Sequence, residues 1–324
     1  MTVALAGTRP ASVIELLRDR RARGAAATRA RRLALVVEGG GMRGVLSAGS
    51  LLAIDELGFR GCFDAVFASS AGGVNAAYFL SGQGRLGITV YFDSINNRRF
   101  FNPWRPWKIV DVAYVYDEIV ASVKRLDEDA LRAGGPEFYL SVTDARTGAN
   151  VVIDVKRAPD PVHRVLKASS ALPILYNRCV RLSNGLYVDG GISDPMPIRR
   201  AIESGCTDVL ILSTRPIDHV NPDLTAMQQL ILRAAVGLHR PRLAAACRLA
   251  HTRANTSRDL ASGREQVPDV NVASIAPSPD ESMVDRLTMD RNVLIGGARL
   301  MATRACEALG EDPAALEAVF GTFA

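Results

Sequence analysis

The chain has no run of about 18 apolar residues, so no membrane-spanning helix is expected, and its first residues lack the apolar stretch of a secretory leader. The expectation is a cytoplasmic protein that meets a membrane, if at all, from its surface. Cysteine is scarce. The five, Cys62, Cys179, Cys206, Cys247 and Cys306, are odd in number and scattered without paired-ligand spacing, which argues against a disulfide framework or a zinc site. They are expected to be reduced and mostly buried. Histidine is scarcer: His163, His219, His239 and His251 lie in no motif, and each reads as structural or solvated. Internal repeats and low-complexity blocks are also lacking, as is any nucleic-acid-binding motif, so no nucleic-acid partner is expected.

What is present is an ordinary globular composition, 48% hydrophobic and 23% charged over 324 residues, ample for a large core. The net charge of +5 is unevenly spread, because Arg18, Arg20, Arg21, Arg23, Arg29, Arg31 and Arg32 crowd an alanine-rich lead. Residues 1–32 therefore read as a basic arm, either a solvated or frayed segment or one that touches anionic lipid. Beyond it, strand-like and helix-like segments alternate, the pattern of an α/β fold with mainly parallel strands. Leu33-Ala34-Leu35-Val36-Val37, 63–67, 208–213 and 269–275 read as strands. Residues 138–143 and 150–155 flank Thr147-Gly148 as a hairpin, and Leu186-Tyr187-Val188 precedes Asp189-Gly190-Gly191. Helices are expected over 45–57, from 162 to 167, over 195–203, through much of 223–260 with a break near Pro241, and over 289–309. No domain boundary stands out. A proline-containing loop at 96–108 gathers Arg98, Arg99, Phe100, Phe101, Trp104, Arg105 and Trp107, as a lid or membrane-facing rim would, or as aromatics anchoring a loop to the core would.

Two segments carry the chemistry. Glu38-Gly39-Gly40-Gly41-Met42-Arg43-Gly44 follows a strand and precedes a helix, so its amides can meet negative charge at a helix N-terminus. Ala68-Ser69-Ser70-Ala71-Gly72-Gly73 follows the next strand, and Ser70 has only small neighbours, as a sharp strand-to-helix elbow requires. Ser69 lacks that spacing. Gly39, Gly41 and Gly44 also fit a dinucleotide-binding pattern, although Asp64 precedes the next apolar run and no ribose-binding carboxylate follows it.

With Lys-Ala-Ser-Ser-Ala-Leu-Pro at 167–173 and Val-Asp-Gly-Gly at 188–191, these motifs resemble, in order and spacing, those of the patatin-like phospholipases. The resemblance covers 33–215 well and is most similar to uncharacterised bacterial members. It implies a three-layer α/β/α fold with a mainly parallel central sheet, as one domain over 33–324: a motif-bearing part, 33–215, and a mostly helical part, 216–324. It further implies acyl-ester hydrolysis by a serine–aspartate dyad without cofactor or metal. Ser70 would be the nucleophile and Asp189, beside Gly190 and Gly191, the base. Backbone amides within Gly39, Gly40, Gly41, Met42, Arg43 and Gly44 would form the oxyanion hole, with Ala68, Ser69, Ala71 and Gly72 shaping the elbow. Ala68 stands where the G-x-S-x-G pattern has glycine, and Glu38 where the family commonly has aspartate. Asp194 is a rival base, though before Pro195 it fits a helix N-cap. Ser169 and Ser170 read as supports. Arg43 could assist an oxyanion or phosphate, or lie on a helix surface. The expected partner is a lipid or other acyl ester, with possible peripheral contact with an anionic membrane. A catalytically silent lipid-binding or scaffold protein, and a dinucleotide enzyme, remain the other classes.

Overall fold

The computed structural model describes residues 10–25, 30–105, 108–281 and 284–323. Eight strands form one sheet: Leu33–Val37 (β1), Ala65–Ser69 (β2), Glu137–Asp144 (β3), Asn150–Asp154 (β4), Val180–Leu182 (β5), Gly185–Asp189 (β6), Asp208–Leu212 (β7) and Asn271–Ile275 (β8). Their order is β5-β6-β3-β2-β1-β7-β8, with β4 also paired to β3. The run from β3 through β2, β1 and β7 to β8 is parallel, and β4, β6 and β5 add antiparallel pairs at one side. β1, β2 and β7 are buried at every residue, as strands covered on both faces must be.

Alternation along these strands sends side chains into two layers. Leu33, Leu35 and Val37 pack with the helices Pro10–Arg23 (α1), Val45–Glu56 (α2), Ala71–Leu80 (α3) and Arg291–Leu309. Ala34 and Val36 face the other way, against Ile198 and Leu260 of the helices Ile198–Glu203 and Ala250–Ala261. The result is the three-layer α/β/α arrangement with a mainly parallel centre.

Strand ends position the site. β1 runs into the glycine turn and α2, β2 runs into Ser70 and α3, and β6 ends at Asp189. β2 and β6 lie on either side of β3, where Ser69 is level with Ser141 and Asp189 with the adjacent Val142. Residues far apart in sequence thus meet at the carboxyl end of the parallel strands, where open α/β sheets place ligands.

The N-terminal segment departs from the expectation of a free basic arm. Val13, Ile14, Leu16 and Leu17 of α1 are buried in the main core, and Arg20 is only 2% exposed. Arg20 donates to the Cys62 carbonyl and Asp64, Arg31 pairs with Asp208, and Arg32 with Glu137. The apolar stripe and the partners of these arginines explain the difference. These three charges, which look surplus in sequence, are neutralised by acids at the amino ends of β2, β3 and β7. Residues 1–9 and 26–29, which include Arg29, lie outside the described residues.

Candidate active site

The turn after β1 is built for close approach. Gly41 has φ +62°, a left-handed conformation that side chains disfavour. A Cβ on Gly39 would stand 2.5 Å from the Ser69 carbonyl oxygen, and one on Gly72 would stand 2.4 Å from that of Val37, so the turn and the β2–α3 elbow interlock. Among the described residues, the amides of Gly39, Gly40 and Gly41 donate to no protein acceptor. The Met42 amide is different. It donates to the Arg286 carbonyl at 3.0 Å, which removes it from the donors expected for an oxyanion.

Ser70 has φ 54° and ψ −132°, a strained backbone for a residue with a Cβ. Its amide donates to Ser169 Oγ at 2.8 Å, and Ser169 in turn donates to the Ser141 carbonyl at 2.7 Å, which holds the elbow. Ser70 Oγ donates to Asp189 Oδ2 at 2.7 Å. The other carboxylate oxygen, Oδ1, accepts from the Gly191 amide at 2.7 Å, which fixes the plane of the group. Burial pushes the Asp189 carboxyl up to about 6, against the lowering effect of the Ser70 and Gly191 hydrogen bonds and of Arg286. A carboxylate so placed is ionised at neutral pH yet basic enough to take a proton. Ser69 Oγ is buried without a partner, next to the backbone of Gly190.

Ser70 stands where two cavities meet. The inner one, about 70 Å³, is apolar and walled by Val74, Val90, Tyr91, Val115 and Tyr116. Two π-helical stretches, Val90–Ser94 and Tyr114–Val123, supply much of this wall, a backbone form that recurs at functional sites. The Tyr91 hydroxyl donates to Asn75 at 2.9 Å and that of Tyr116 bonds Ser170 at 2.6 Å, so the polar tips in the wall are satisfied. The outer cleft, about 440 Å³, is more polar, and Arg43, Arg215 and Arg286 line it beside Asp189. None of these three forms an ion pair among the described residues. Burial, more than the repulsion of Arg215 and Arg286, pushes the Arg43 guanidinium down to about 9, although Glu38 opposes the shift.

Arg43 is buried, with Nε 3.3 Å from Thr214 Oγ1, so the helix-surface alternative does not hold. Glu38 is buried beside it. Glu38 pairs with Arg258 at 2.6 Å and accepts from Ser213 Oγ and the Thr214 amide. Burial raises the Glu38 carboxyl, but Arg258 and Arg43 outweigh it and hold the group below its ordinary range. Asp194 is not a helix cap, because Met196 is held between Pro195 and Pro197 and the helix begins at Ile198. Its amide closes a turn onto the Gly190 carbonyl, and burial pushes its carboxyl up to about 7.

His251 lines the outer cleft with Nε2 2.9 Å from Asp223, while Asp189 is the carboxylate that Ser70 meets. Asp64 accepts from Arg20 and from the Leu33 amide at the opposite end of β1, so it offers nothing to a ligand at the glycine turn. Among the described residues, no group of three or more histidine, cysteine, aspartate or glutamate side chains is placed to hold a metal ion. In the 96–108 loop, Phe100 is buried and walls both cavities, Trp104 is 88% exposed, and Trp107 lies outside the described residues. Sequence reasoning missed Arg215, Arg258 and Arg286. The position of Arg215 just past β7, at a parallel strand's carboxyl end, is a signal that could have found it.

The chain is 30% identical over 191 residues to the uncharacterized protein YjjU of Escherichia coli (strain K12), a match covering 57% of this chain and 52% of that protein. It is 26% identical over 189 residues to the uncharacterized protein YqhO of Bacillus subtilis (strain 168), covering 50% and 64%. Thus it spans between about half and two thirds of these relatives' length. Among solved structures, VipD from Legionella pneumophila is similar over 60% of this chain and 51% of that one, at 15% identity and a TM-score of 0.40. The model of the patatin-like phospholipase family matches residues 35–202, which contain the glycine turn, Ser70 and Asp189, and the chain belongs to that family.

Proposed function

We propose that the protein is a serine acyl hydrolase of lipid esters, working through Ser70 and Asp189. The observation that carries this reading is the 2.7 Å bond from Ser70 Oγ to Asp189 Oδ2, at the junction of an apolar cavity and an arginine-lined cleft. In the first step Asp189 takes the Ser70 proton as Oγ attacks the ester carbonyl carbon, and the carbonyl oxygen gains negative charge. The free amides of the Gly39–Gly41 turn meet that charge, a contribution of roughly 2.7–4 kcal/mol per donor. Collapse expels the alcohol, which takes the proton from Asp189. Water, activated by the same carboxylate, then releases the acid and restores Ser70.

The inner cavity suits the acyl chain, and the outer cleft the alcohol half. Three arginines that form no ion pair among the described residues favour an alcohol that carries phosphate or another anionic group. The family supports lipid ester as the substrate class. A silent scaffold would have no use for the strain at Ser70, which the elbow hydrogen bonds maintain.

The test is a fluorophosphonate probe together with a panel of phospholipid, lysophospholipid, glyceride and short soluble esters. Ser70 should carry the adduct, and Ser70→Ala should lose both labelling and hydrolysis, while Ser69→Ala keeps a measurable fraction. An adduct mapped to another serine, or an unlabelled protein inactive on every ester, would overturn the reading.

A further inference from the structure

Residues 224–258 contain six arginines and no aspartate or glutamate, more positive charge than the net +5 of the whole chain. This stretch also carries most of the exposed large apolar side chains: Met227, Leu230, Ile231, Leu238 and Leu249 are 44–73% exposed. They are presented by ordered structure. A Thr225–Gln228 capping box starts the helix Ala226–Leu232, whose inner residue Leu232 packs with Val236 and Leu243. Arg233, Arg242 and Arg248 are exposed among them and form no ion pair among the described residues.

Several of the exposed apolar residues border the cleft that contains Ser70. Met227 adjoins Gln228, Leu249 adjoins Ala250, Val220 adjoins Asn221, and each second member lines that cleft, as does Leu287 itself. Apolar side chains interspersed with unpaired arginines match a bilayer surface, where aliphatic groups enter the acyl boundary and arginines meet anionic headgroups. A second copy of the chain fits poorly, because a two-fold contact would set arginines against arginines with Asp223 as the one acid within residues 220–249. Nucleic acid fits poorly as well, since the exposed groups are aliphatic and offer no stacking surface.

We propose that this face, residues 220–249 with Leu287, docks on an anionic lipid bilayer and sets the cleft mouth against it. That the docked cleft then draws an ester from the bilayer rests on the hydrolase reading; the docking does not.

The experiment uses the full chain carrying Ser70→Ala, so that no lipid is consumed, in cosedimentation with phosphatidylglycerol–phosphatidylcholine vesicles or with phosphatidylcholine alone. Binding should favour the anionic vesicles and fall roughly tenfold or more with Leu230→Ser/Ile231→Ser and with Arg233→Ala/Arg242→Ala. The arginine effect should vanish in high salt, and the leucine–isoleucine effect should persist. With Ser70 intact, both double variants should keep wild-type melting temperature and hydrolysis of a soluble short-chain ester. A protein inactive on every ester yet bound to vesicles in this way would sink the hydrolase reading and leave the docking standing. Absent vesicle binding, binding indifferent to both double variants, or a dimer in sedimentation velocity that they dissociate would each overturn the docking face.

Discussion

Asp189 links chemistry to stability through one proton. Burial lifts its folded value to about 6 from an ordinary 3.8, even with Ser70, Gly191 and Arg286 lowering it. The folded protein therefore holds this proton more tightly than the unfolded chain does. That contribution to stability is complete below about pH 3.8 and is lost as pH rises through about 6. About two units correspond to about 3 kcal/mol. Asp189→Asn keeps the shape, and its amide oxygen can still accept from Gly191, but it neither titrates nor takes a proton from Ser70. We expect turnover to fall by several orders of magnitude while stability at pH 7 rises by about 1–3 kcal/mol. Urea unfolding at several pH values between 4 and 7 should give a flatter profile for the variant, with a residual slope of the same sign from Asp194, itself raised to about 7. Wild-type kcat/KM should rise with pH to a plateau above about 6. A variant less stable than wild type at pH 7, or an acid limb that persists near pH 6 in residual Asp189→Asn activity, would show that another group titrates.

The glycine turn and the serine elbow act as one element, because neither backbone leaves room for a methyl group on the other. Gly39→Ala would press its Cβ against the Ser69 carbonyl oxygen at 2.5 Å, where only backbone can yield. Overpacking of this kind costs typically 1–3 kcal/mol, and the movement falls on the residue before Ser70. We expect a folded but less stable Gly39→Ala whose ester hydrolysis drops at least about a hundredfold, against an unchanged Gly61→Ala, since a Cβ on Gly61 meets nothing within 4 Å. Thermal melts beside esterase assays check both, and equal activity in the two variants would separate the turn from the chemistry. This element was legible in the sequence because apolar strands ending in glycine or small residues announce sharp turns, and the β3–β4 hairpin was announced by Thr147-Gly148 in the same local way. The walls of the inner cavity were not legible. Val90–Ser94 and Tyr114–Val123 are π-helical, a form that the 3.6-residue period does not announce, and the three-residue strand β5 is too short to carry a period. Arg258 and Arg286 reach the site from the C-terminal third of the chain, which no local pattern encodes, whereas Arg215 was marked only by its place just past β7.

Over the whole molecule, the segments that look peripheral in sequence are tied to the centre. Arg258 brings the helix Ala250–Ala261 to Glu38 beside the glycine turn, and the Arg286 carbonyl holds the Met42 amide, so the last third of the chain supports the site built by the first. The N-terminal arginines mislead when counted as charge alone, because the acidic partners of Arg20, Arg21, Arg31 and Arg32 lie far away in sequence and the apolar residues ahead of them are few. Val13, Ile14, Leu16 and Leu17 are enough to seat α1 on the core, and Arg20 locks it to Asp64 and the Cys62 carbonyl. Full burial of one such side chain contributes roughly 1.5–3 kcal/mol. Four of them, even discounted for a compact unfolded state, rival the roughly 5–15 kcal/mol by which a domain is stable. Removing residues 1–23 should therefore lower the melting temperature by about 10 °C or more, or abolish soluble expression. Salt-sensitive vesicle binding per folded molecule should be unaffected wherever enough folded protein survives to test it. Removing only residues 1–9 should leave the melt within a few degrees of wild type, because Val13, Ile14, Leu16 and Leu17 all remain. A chain lacking residues 1–23 that melts like the intact protein would mean that α1 is held too weakly to count as part of the core, and would return the N-terminal arginines to the role of a free basic arm.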